Sequence, residues 1–469
     1  MPTPRLSPTI LEVLPSTVRR PGYDRASVTR GVVHLGIGAF HRAHQAVVFD
    51  DAMAAGDTRW GITGVSLRSP GVRDQLVPQG GLYTLSVRDS GAISDRVIGA
   101  VGDVLFAPDD PAAVIAAIAA PDTHIVSLTV TEKGYVIDPG ASAADLARTA
   151  PGFIAAGLAE RRARGLGGLT MLSCDNLSDN GAKLAAAVAS VAEPDLAEWI
   201  AQTCTFPATM IDRIVPATTP DDIAAFEGRA GVRDLGLVKA EPFLQWVIED
   251  RFAGERPDFA AHGVQLTRDV APWEEAKLRL LNGAHSAIAY LGGLAGIEFV
   301  DGVVARPEGR AFVEALWDEA AATLDPPPGL DLAAYRGALM ARFANSALAH
   351  RTRQIAMDGS QKLPQRLLAS IAARLDAGQS AEALTTGVAA WVRWVSGTDD
   401  AGQPITVDDP LAGRIAEALA GGGDRVDALL GLEAIFPRRL ADDPRFVALL
   451  RDRLAMLDDG GASRLLRLS

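Results

Sequence analysis

The segment that most constrains the fold is residues 31–44, which read GVVHLGIGAFHRAH. Val32–Leu35 predict a short strand, the glycines at 36 and 38 predict a tight turn, and a helix is expected from about Ala43. A strand, a glycine turn and a helix in this order begin a dinucleotide-binding α/β fold, in which glycines let the backbone approach a pyrophosphate. The chain is therefore expected to open on a parallel sheet.

The dinucleotide fingerprint departs from its usual form at two places. His41 stands where a third glycine is usual. A second strand is predicted over residues 61–67, and Arg68 follows it where an acidic residue commonly binds the adenosine ribose. Arg68 could receive a 2′-phosphate or simply be solvated, so NAD and NADP both stay open at this point. The predicted cofactor-binding residues are Gly36, Ile37, Gly38, Ala39, Phe40, Arg68 and Glu132.

Strands and alanine-rich helices alternate through the rest of the first half. We predict strands over 97–101, 124–129 and 168–173, and helical stretches over 111–120 and 143–164. This alternation indicates a parallel sheet covered on both faces.

Two polar loops follow predicted strands, TVTEKGY at 129–135 and SCDNLSDNG at 173–181. Because ligands of open α/β sheets bind beyond the carboxyl ends of the strands, Glu132, Asn176 and Asn180 are candidate site residues. The alternative is that the asparagines serve turns and helix caps, and this alternative weighs more for Asn180 than for Asn176. Further on, Asp212 and Arg213 could pair with each other or orient a site.

Helical periodicity dominates the second half, over 310–324, 332–348, 365–376 and 381–395. We therefore predict an α/β protein with two domains. Residues 1–273 form a Rossmann-like dinucleotide-binding domain, and residues 274–469 form a mainly α-helical domain.

A helix predicted over 273–294 carries the sequence KLRLLNGAH at 277–285. At roughly 100° per residue, Asn282 lies about 140° and His285 about 80° around the axis from Lys277, so all three fit one broad face. A desolvated lysine is a candidate general base, with Asn282 donating a hydrogen bond to the reacting oxygen. The alternative is a lysine that extends to water beside an ordinary core histidine.

Residues 356–366, AMDGSQKLPQR, are predicted to form a polar loop. Lys362 and Arg366 offer two cations that could hold a carboxylate or sugar hydroxyls. The alternative is a surface helix entry with solvated charges.

Composition excludes several classes of protein. A net charge of -13 argues against a nucleic-acid or anionic-membrane partner. Two cysteines, Cys174 and Cys204, build neither a disulfide framework nor a cysteine zinc site, and no metal site is predicted. The leader lacks the pattern of a secretory signal, and no apolar run is long enough to span a bilayer. A cytoplasmic protein, monomeric or a small homo-oligomer, is expected.

Seven stretches together resemble the long-chain polyol dehydrogenase family, which includes mannitol 2-dehydrogenases and fructuronate reductases: GIGAFHRAH, SLTVTEKGY, SCDNLSDNG, MIDRIVPAT, EPFLQWVIED, KLRLLNGAH and DGSQKLPQR. The resemblance implies a metal-independent enzyme with NAD as cofactor and an active site between its two domains. It implies that Lys277 is the general acid/base with Asn282 and His285 beside it, and that Asn176 joins Asn282 in polarising the reacting oxygen. It also implies that Asp212 helps to position cofactor or substrate, that Lys362 binds substrate, and that Glu132 and Glu274 match an acidic pair near the lysine.

Several stretches, including IAMDGSQKLPQRLL, are more similar to fructuronate reductases than to mannitol 2-dehydrogenases. We therefore expect hydride transfer between a nicotinamide cofactor and a sugar acid, D-fructuronate or D-mannonate, with a neutral polyol such as D-mannitol or D-arabinitol as the alternative substrate. Binding of the substrate carboxylate by Arg366 is our own hypothesis, from the fork geometry of its guanidinium. A metal-dependent alcohol dehydrogenase and a non-catalytic nucleotide sensor are the remaining alternatives.

Overall fold

A computed structural model describes residues 3–138, 140 and 142–467. The chain divides into two compact units, Met1–Ala271 and Pro272–Ser469. The domain boundary predicted between residues 273 and 274 lies in the same short segment.

The strands of the first unit are β1 (Val18–Arg19), β2 (Val32–Leu35), β3 (Ile62–Ser66), β4 (Tyr83–Asp89), β5 (Ala92–Ile98), β6 (Val101–Phe106), β7 (Ile125–Leu128), β8 (Thr170–Ser173), β9 (Thr209–Asp212), β10 (Val238–Ala240), β11 (Gln245–Glu249) and β12 (Gln265–Thr267). Its helices are α1 (Ala39–Ala43), α2 (Gln45–Ala54), α3 (Gly71–Leu76), α4 (Pro111–Ile118), α5 (Ala143–Leu146), α6 (Ala150–Ala163), α7 (Asn180–Val191), α8 (Pro194–Thr203) and α9 (Pro220–Ala230).

The central sheet of this unit has the order β6-β3-β2-β7-β8, and all of its neighbouring strands are parallel. All four residues of β2 are buried, and successive side chains enter opposite layers, since Val32 joins one hydrophobic cluster and Val33 another. The chain leaves β2 for β3 on one side and returns to β7 on the other. The carboxyl ends of β2 and β7 therefore flank the switch point where doubly wound sheets bind ligands.

Two smaller sheets were not predicted. Strands β1, β5, β4 and β10 form one of them, in which β4 and β5 are an antiparallel hairpin, and β12, β11 and β9 form the other. The strand predicted over 97–101 is wrong because it joins the end of β5 to the start of β6. Between them the Gly99 amide donates to Asp50 Oδ1 at 2.9 Å rather than to a sheet.

Two helix predictions need correction. The first helix begins at Ala39, not near Ala43, and His44 (φ -125°, ψ -89°) separates α1 from α2. The stretch 143–164 is two helices, because the Thr149 side chain accepts from the Gly152 amide and starts α6 afresh.

The helices of the second unit are α10 (Ala271–Ala276, which begins at the division), α11 (Gly283–Leu294), α12 (Val300–Val304), α13 (Pro307–Ala321), α14 (Leu332–Phe343), α15 (Thr352–Ile355), α16 (Gly359–Leu363), α17 (Ala369–Asp376), α18 (Glu382–Val395), α19 (Ala412–Ala420), α20 (Arg425–Leu430), α21 (Arg438–Ala441) and α22 (Pro444–Leu465). Almost every residue of α11 and most of α18 are buried, so these helices form the centre of the unit. The predicted helical character is confirmed.

Two π-helical segments interrupt the second unit, Lys277–Asn282 and Pro364–Leu368. Each is followed by a backbone amide that donates a hydrogen bond to the carbonyl oxygen five residues earlier. Gly283 donates to Leu278, and Ala369 donates to Pro364. The loop predicted over 356–366 is therefore mostly helical from Gly359 onward. No helix within the described ranges is long and apolar enough to cross a bilayer.

Candidate functional site

The turn after β2 brings the backbone of two strands into close approach. Gly36 has φ +94°, and a Cβ at this position would lie 2.2 Å from the carbonyl oxygen of Thr129, which follows β7. The Thr129 hydroxyl in turn donates to the Gly36 carbonyl at 2.8 Å. Only glycine satisfies both the backbone angle and the space.

His41, which stands in place of the third glycine of the fingerprint, packs against β2 by stacking its ring on another histidine. Its ring lies on that of His34, with centroids 3.4 Å apart, and His34 is held by the hydroxyls of Ser127 and Thr129 at 2.8 and 3.0 Å. Complete burial lowers the pKa of His34 to about 3. Both rings are therefore neutral at physiological pH, and the helix packs through a ring contact where a glycine usually allows close approach.

Two adjoining cavities lie along the carboxyl ends of the central strands. They measure about 470 and 660 Å³ and share Gly36, Gly38, Thr129, Thr131 and Lys133. We call them the β3-side and β8-side cavities, after the strand whose following residues line each one. Together they form a continuous cleft across the switch point.

The β3-side cavity contains Arg68. It is also lined by Ile37, Lys133 and Arg148, and none of its lining residues is acidic. The end of the cleft beyond β3 is therefore cationic in a chain whose net charge is -13.

The β8-side cavity gathers the remaining predicted cofactor-binding residues of this unit together with Asn176, which is predicted to be catalytic. Ala39, Phe40, Glu132 and Asn176 all line it. Ile211 lines it as well, and the next residue, the buried Asp212, ends β9. Most of the site residues predicted for this unit therefore line one cleft.

Asn180 has a structural role instead. It is fully buried, and its amide donates to the carbonyls of Asp175 and Thr209 at 3.0 and 2.8 Å, while its oxygen accepts from the Thr209 amide at 3.0 Å. It fastens the loop after β8 to β9. Arg213 is likewise structural, because its guanidinium donates to the carbonyls of Glu241 and Ala43.

In the second unit, the two π-helical segments lie against each other. A Cβ on Gly283 would lie 2.7 Å from the Arg366 carbonyl oxygen, so glycine permits this approach. Arg366 Nη1 lies 3.4 Å from the Asn282 carbonyl oxygen and 3.0 Å from Ser286 Oγ. The predicted residues Lys277, Asn282 and Arg366 thus belong to two contacting segments of unusual helical geometry, which often marks functional sites.

The π turn changes the geometry predicted for the helix over 273–294. In a hydrogen-bonding pattern of five residues, Asn282 lies closer above Lys277 than the α-helical angle of about 140° allows. Lys277 is 8% exposed, and Asn282 and His285 are partly exposed. One extra residue in the turn therefore gathers the polar side chains on one side.

His285 is surrounded by cations and by other rings. Its ring centroid lies 4.6 Å from that of His350 and 5.4 Å from that of Phe343. Desolvation first, then the neighbouring His350 ring and nearby cations such as Arg366, hold the pKa of His285 well below its usual value, so the ring is neutral at pH 7. Within the described residues, its buried Nε2 has no hydrogen-bond partner.

Lys362 and Arg366 differ in how strongly they are already engaged. Lys362 Nζ donates to the carbonyls of Ile355 and Met357 and lies 3.8 Å from Asp358. Arg366 uses only Nη1 in its hydrogen bonds to described residues, and burial lowers its pKa to about 10, which leaves it charged at neutral pH. Its Nε and Nη2 edge keeps the fork that binds a carboxylate.

Comparison with known proteins gives the same domain pattern. Residues 30–261 match the mannitol dehydrogenase Rossmann domain, and residues 269–458 match the mannitol dehydrogenase C-terminal domain. The chain belongs to the mannitol dehydrogenase family. The family resemblance, the Rossmann-type fold and the oxidoreductase class predicted from sequence are thereby confirmed.

Individual relatives of this mannitol dehydrogenase family member differ in substrate. The chain is 45% identical to the uncharacterized oxidoreductase YeiQ of Escherichia coli, and this match covers 97% of both chains. It is 42% identical to D-mannonate oxidoreductase of Escherichia coli, and this match covers 95% of this chain and 96% of the relative. It is 37% identical to Pseudomonas fluorescens mannitol 2-dehydrogenase, solved as a ternary complex with NAD and D-mannitol, with 99% of both chains covered and a TM-score of 0.82.

Two residues central to the cleft of this family member were not predicted, Thr131 and Asp175. Asp175 is buried and accepts hydrogen bonds from the loop after β7, which contains Thr131. Both residues lie inside the quoted motifs TVTEKGY and SCDNLSDNG, next to Glu132 and Asn176. The available signal was an aspartate directly beyond a predicted buried strand, because a carboxylate that is buried there needs hydrogen-bond donors.

Proposed function

We propose that this enzyme interconverts D-mannonate and D-fructuronate with NAD, using Lys277 as general acid/base. The observation that carries the proposal is Arg366, a charged guanidinium beside the 277–285 turn with one fork edge left for a carboxylate. A sugar acid has a carboxylate and a neutral polyol has none. The similarity to D-mannonate oxidoreductase over nearly the whole chain supports the same substrate class.

The cleft of the first unit fits a dinucleotide. The Gly36 turn leaves no room for a Cβ, and the two cavities run in line across the switch point, as a pyrophosphate between two nucleosides requires. Bound NAD would accept or supply the hydride. We assign the adenosine half to the cavity that contains Arg68, and the nicotinamide half to the cavity that contains Glu132 and Asn176.

The protein's own task is to move one proton and to stabilise one oxygen. Lys277 takes the hydroxyl proton during oxidation of the substrate and returns it during reduction. Asn282 and Asn176 donate hydrogen bonds to the oxygen as it becomes a carbonyl, and the neutral His285 offers a further ring nitrogen. Asp212 and Lys362 position the substrate.

A neutral polyol is the second candidate substrate, favoured by the similarity to P. fluorescens mannitol 2-dehydrogenase. Lys362 is compatible with it, because an ammonium that is already solvated by backbone carbonyls suits hydroxyl recognition as well as carboxylate binding.

Initial rates of oxidation of D-mannonate, D-mannitol and D-arabinitol, each with NAD and with NADP, test the proposal. We expect kcat/KM for mannonate with NAD to exceed that of both neutral polyols by about 10- to 100-fold, the value of one charge-assisted pair. Preferred oxidation of mannitol or arabinitol would reject the sugar acid and keep the chemistry. Preference for NADP would instead give Arg68 a phosphate to bind.

A further inference from the structure

Asp175 joins the two loops that line the β8-side cavity. Its Oδ1 accepts from the Thr131 amide at 2.8 Å, and its Oδ2 accepts from the Val130 amide at 3.0 Å and from the Tyr135 hydroxyl at 2.6 Å. These three donors belong to the loop after β7, whereas Asp175 belongs to the loop after β8. One buried carboxylate therefore fixes their relative position.

Thr131 has a backbone conformation that other residues avoid. Its φ of 68° and ψ of 167° fall in a region that is essentially restricted to glycine. A β-branched residue is especially strained there, because its side chain crowds the backbone. Such strain persists only where the surroundings hold it, and the hydrogen bond to Asp175 is made by the amide of this residue.

The strained residue lies at the middle of the cleft. Thr131 lines both cavities, and Glu132 follows it at the start of a short 3-10 helix. On the other side, Asn180 and the Leu177 amide both donate to the Asp175 carbonyl, which fixes the residue that holds Thr131.

We propose that Asp175 is a positioning residue, which holds Thr131 in its glycine-like conformation and so shapes the cleft for the nicotinamide half of the cofactor. This inference rests on the proposed function only through the choice of NAD. In the absence of the carboxylate, Thr131 relaxes toward an ordinary β conformation and carries the loop over 129–135 away from its place in the cleft.

Titration of the full-length protein with NADH, followed by nucleotide fluorescence, tests the role of Asp175. Asp175→Asn keeps the size of the side chain but cannot accept three hydrogen bonds, and we expect it to raise the Kd for NADH about tenfold. Thr131→Gly alone gives the reference Kd against which the double variant is compared. In the double variant, glycine adopts the required angles without strain, so most of the lost affinity should return.

Asp179→Asn is the matched control, because Asp179 is an exposed carboxylate on the same loop whose side chain does not cap α7. We expect it to leave the Kd unchanged. Wild-type affinity in Asp175→Asn, or a double variant no better than Asp175→Asn, would overturn the proposal. A positioning role predicts rescue by Thr131→Gly, whereas a merely destabilised fold does not.

If Asp175→Asn does not fold, the thermal midpoint of Thr131→Gly decides the question. Relief of strain predicts a Tm at or about 2 °C above that of the wild type, and a clear fall would overturn the proposal. Because the titration contains no sugar, a protein that binds NADH but does not oxidise mannonate rejects only the proposed substrate. A wild type that does not bind NADH would reject both inferences.

Discussion

Lys277 begins a π-helical segment and is 8% exposed, so its ammonium has limited access to water. If it is the general acid/base, Lys277→Met removes the proton carrier while retaining a stem of similar length. We expect kcat for oxidation to fall by about 10²–10⁴-fold, with little change in the Kd for NADH, because proton transfer and cofactor binding use different groups. Steady-state rates and an NADH titration measure the two quantities.

The exposed Lys183 on α7 provides the control for this substitution. Lys183→Met should leave both quantities unchanged. Turnover of Lys277→Met within about tenfold of the wild type would show that another group carries the proton.

A substitution of Arg366 should affect a sugar-acid substrate and a neutral polyol differently. Arg366→Ala removes the fork that we assign to the substrate carboxylate, and a lost charge-assisted pair raises KM for mannonate by about 10- to 100-fold. Turnover of mannitol should persist, because mannitol carries no carboxylate. Arg310→Ala, on the exposed face of α13, is the matched control. Unchanged mannonate kinetics in Arg366→Ala would refute the carboxylate role.

The residue types of the site could be predicted, whereas several contacts could not. Gly36 and Arg68 follow strands, so the Rossmann order alone places them in one cleft. The hydrogen bonds of Asp175 could not be anticipated, because they depend on Thr131 adopting angles that its residue type disfavours. The structural role of Asn180 could not be anticipated either, since its buried hydrogen-bond partners on β9 belong to a sheet that the sequence did not predict.

The two glycines of the turn after β2 are expected to have different roles, one in the stability of the fold and the other in cofactor binding. A Cβ at Gly36 would clash with Thr129 and require a positive φ, whereas a Cβ at Gly38 would meet only the Gly36 carbonyl oxygen, at 3.8 Å. Gly36→Ala should therefore lower the free energy of unfolding by about 1–3 kcal/mol. Gly38→Ala should unfold like the wild type but bind NADH more weakly, because it occupies the approach to the pyrophosphate. Equal stability of the two variants would contradict this division.

The contact between the two π segments makes a second prediction at this scale. Gly283→Ala places a Cβ 2.7 Å from the Arg366 carbonyl oxygen, so the segments must separate or strain. We expect a loss of about 1–3 kcal/mol in the free energy of unfolding, together with a fall in kcat. Gly337→Ala in α14 is the control, because its Cβ would meet nothing within 4 Å, and it should stabilise the helix by about 0.5–1 kcal/mol. Urea unfolding and initial rates measure both effects, and equal stability of the two variants would remove the basis for a tight contact.

Secondary structure followed the sequence where local signals agreed. Val32–Leu35 was predicted at the observed bounds, because a short apolar run before a glycine turn has few alternatives. The π segments escaped prediction because such turns are rare and are favoured here by the tertiary contact between Gly283 and Arg366, which the local sequence does not specify. Antiparallel β4 and β5 were missed because the expected alternation of parallel strands and helices left no place for a hairpin.

At the scale of the whole molecule, neutral histidines whose rings are removed from water make stability depend on pH. Burial lowers the pKa values of His34, His41, His285 and His350 in the folded protein, and that of His34 falls to about 3. The unfolded chain binds protons at these rings below about pH 6.5, while folded His34 stays neutral down to about pH 3. The unfolded state therefore binds more protons in this window, and stability is lost as the pH falls through it.

Each such histidine contributes a slope of about 1.4 kcal/mol per pH unit once its unfolded form is protonated. The stacked pair of His34 and His41 should add most to acid sensitivity, because a proton on either ring would be desolvated against the other at 3.4 Å. We expect the wild-type free energy of urea unfolding to fall steeply between pH 6 and 4 and to change little from these rings above pH 7. His34→Gln, which retains hydrogen-bonding atoms but does not titrate, should give a shallower fall over the same range. A slope identical to that of the wild type would show that the acid transition depends on other groups.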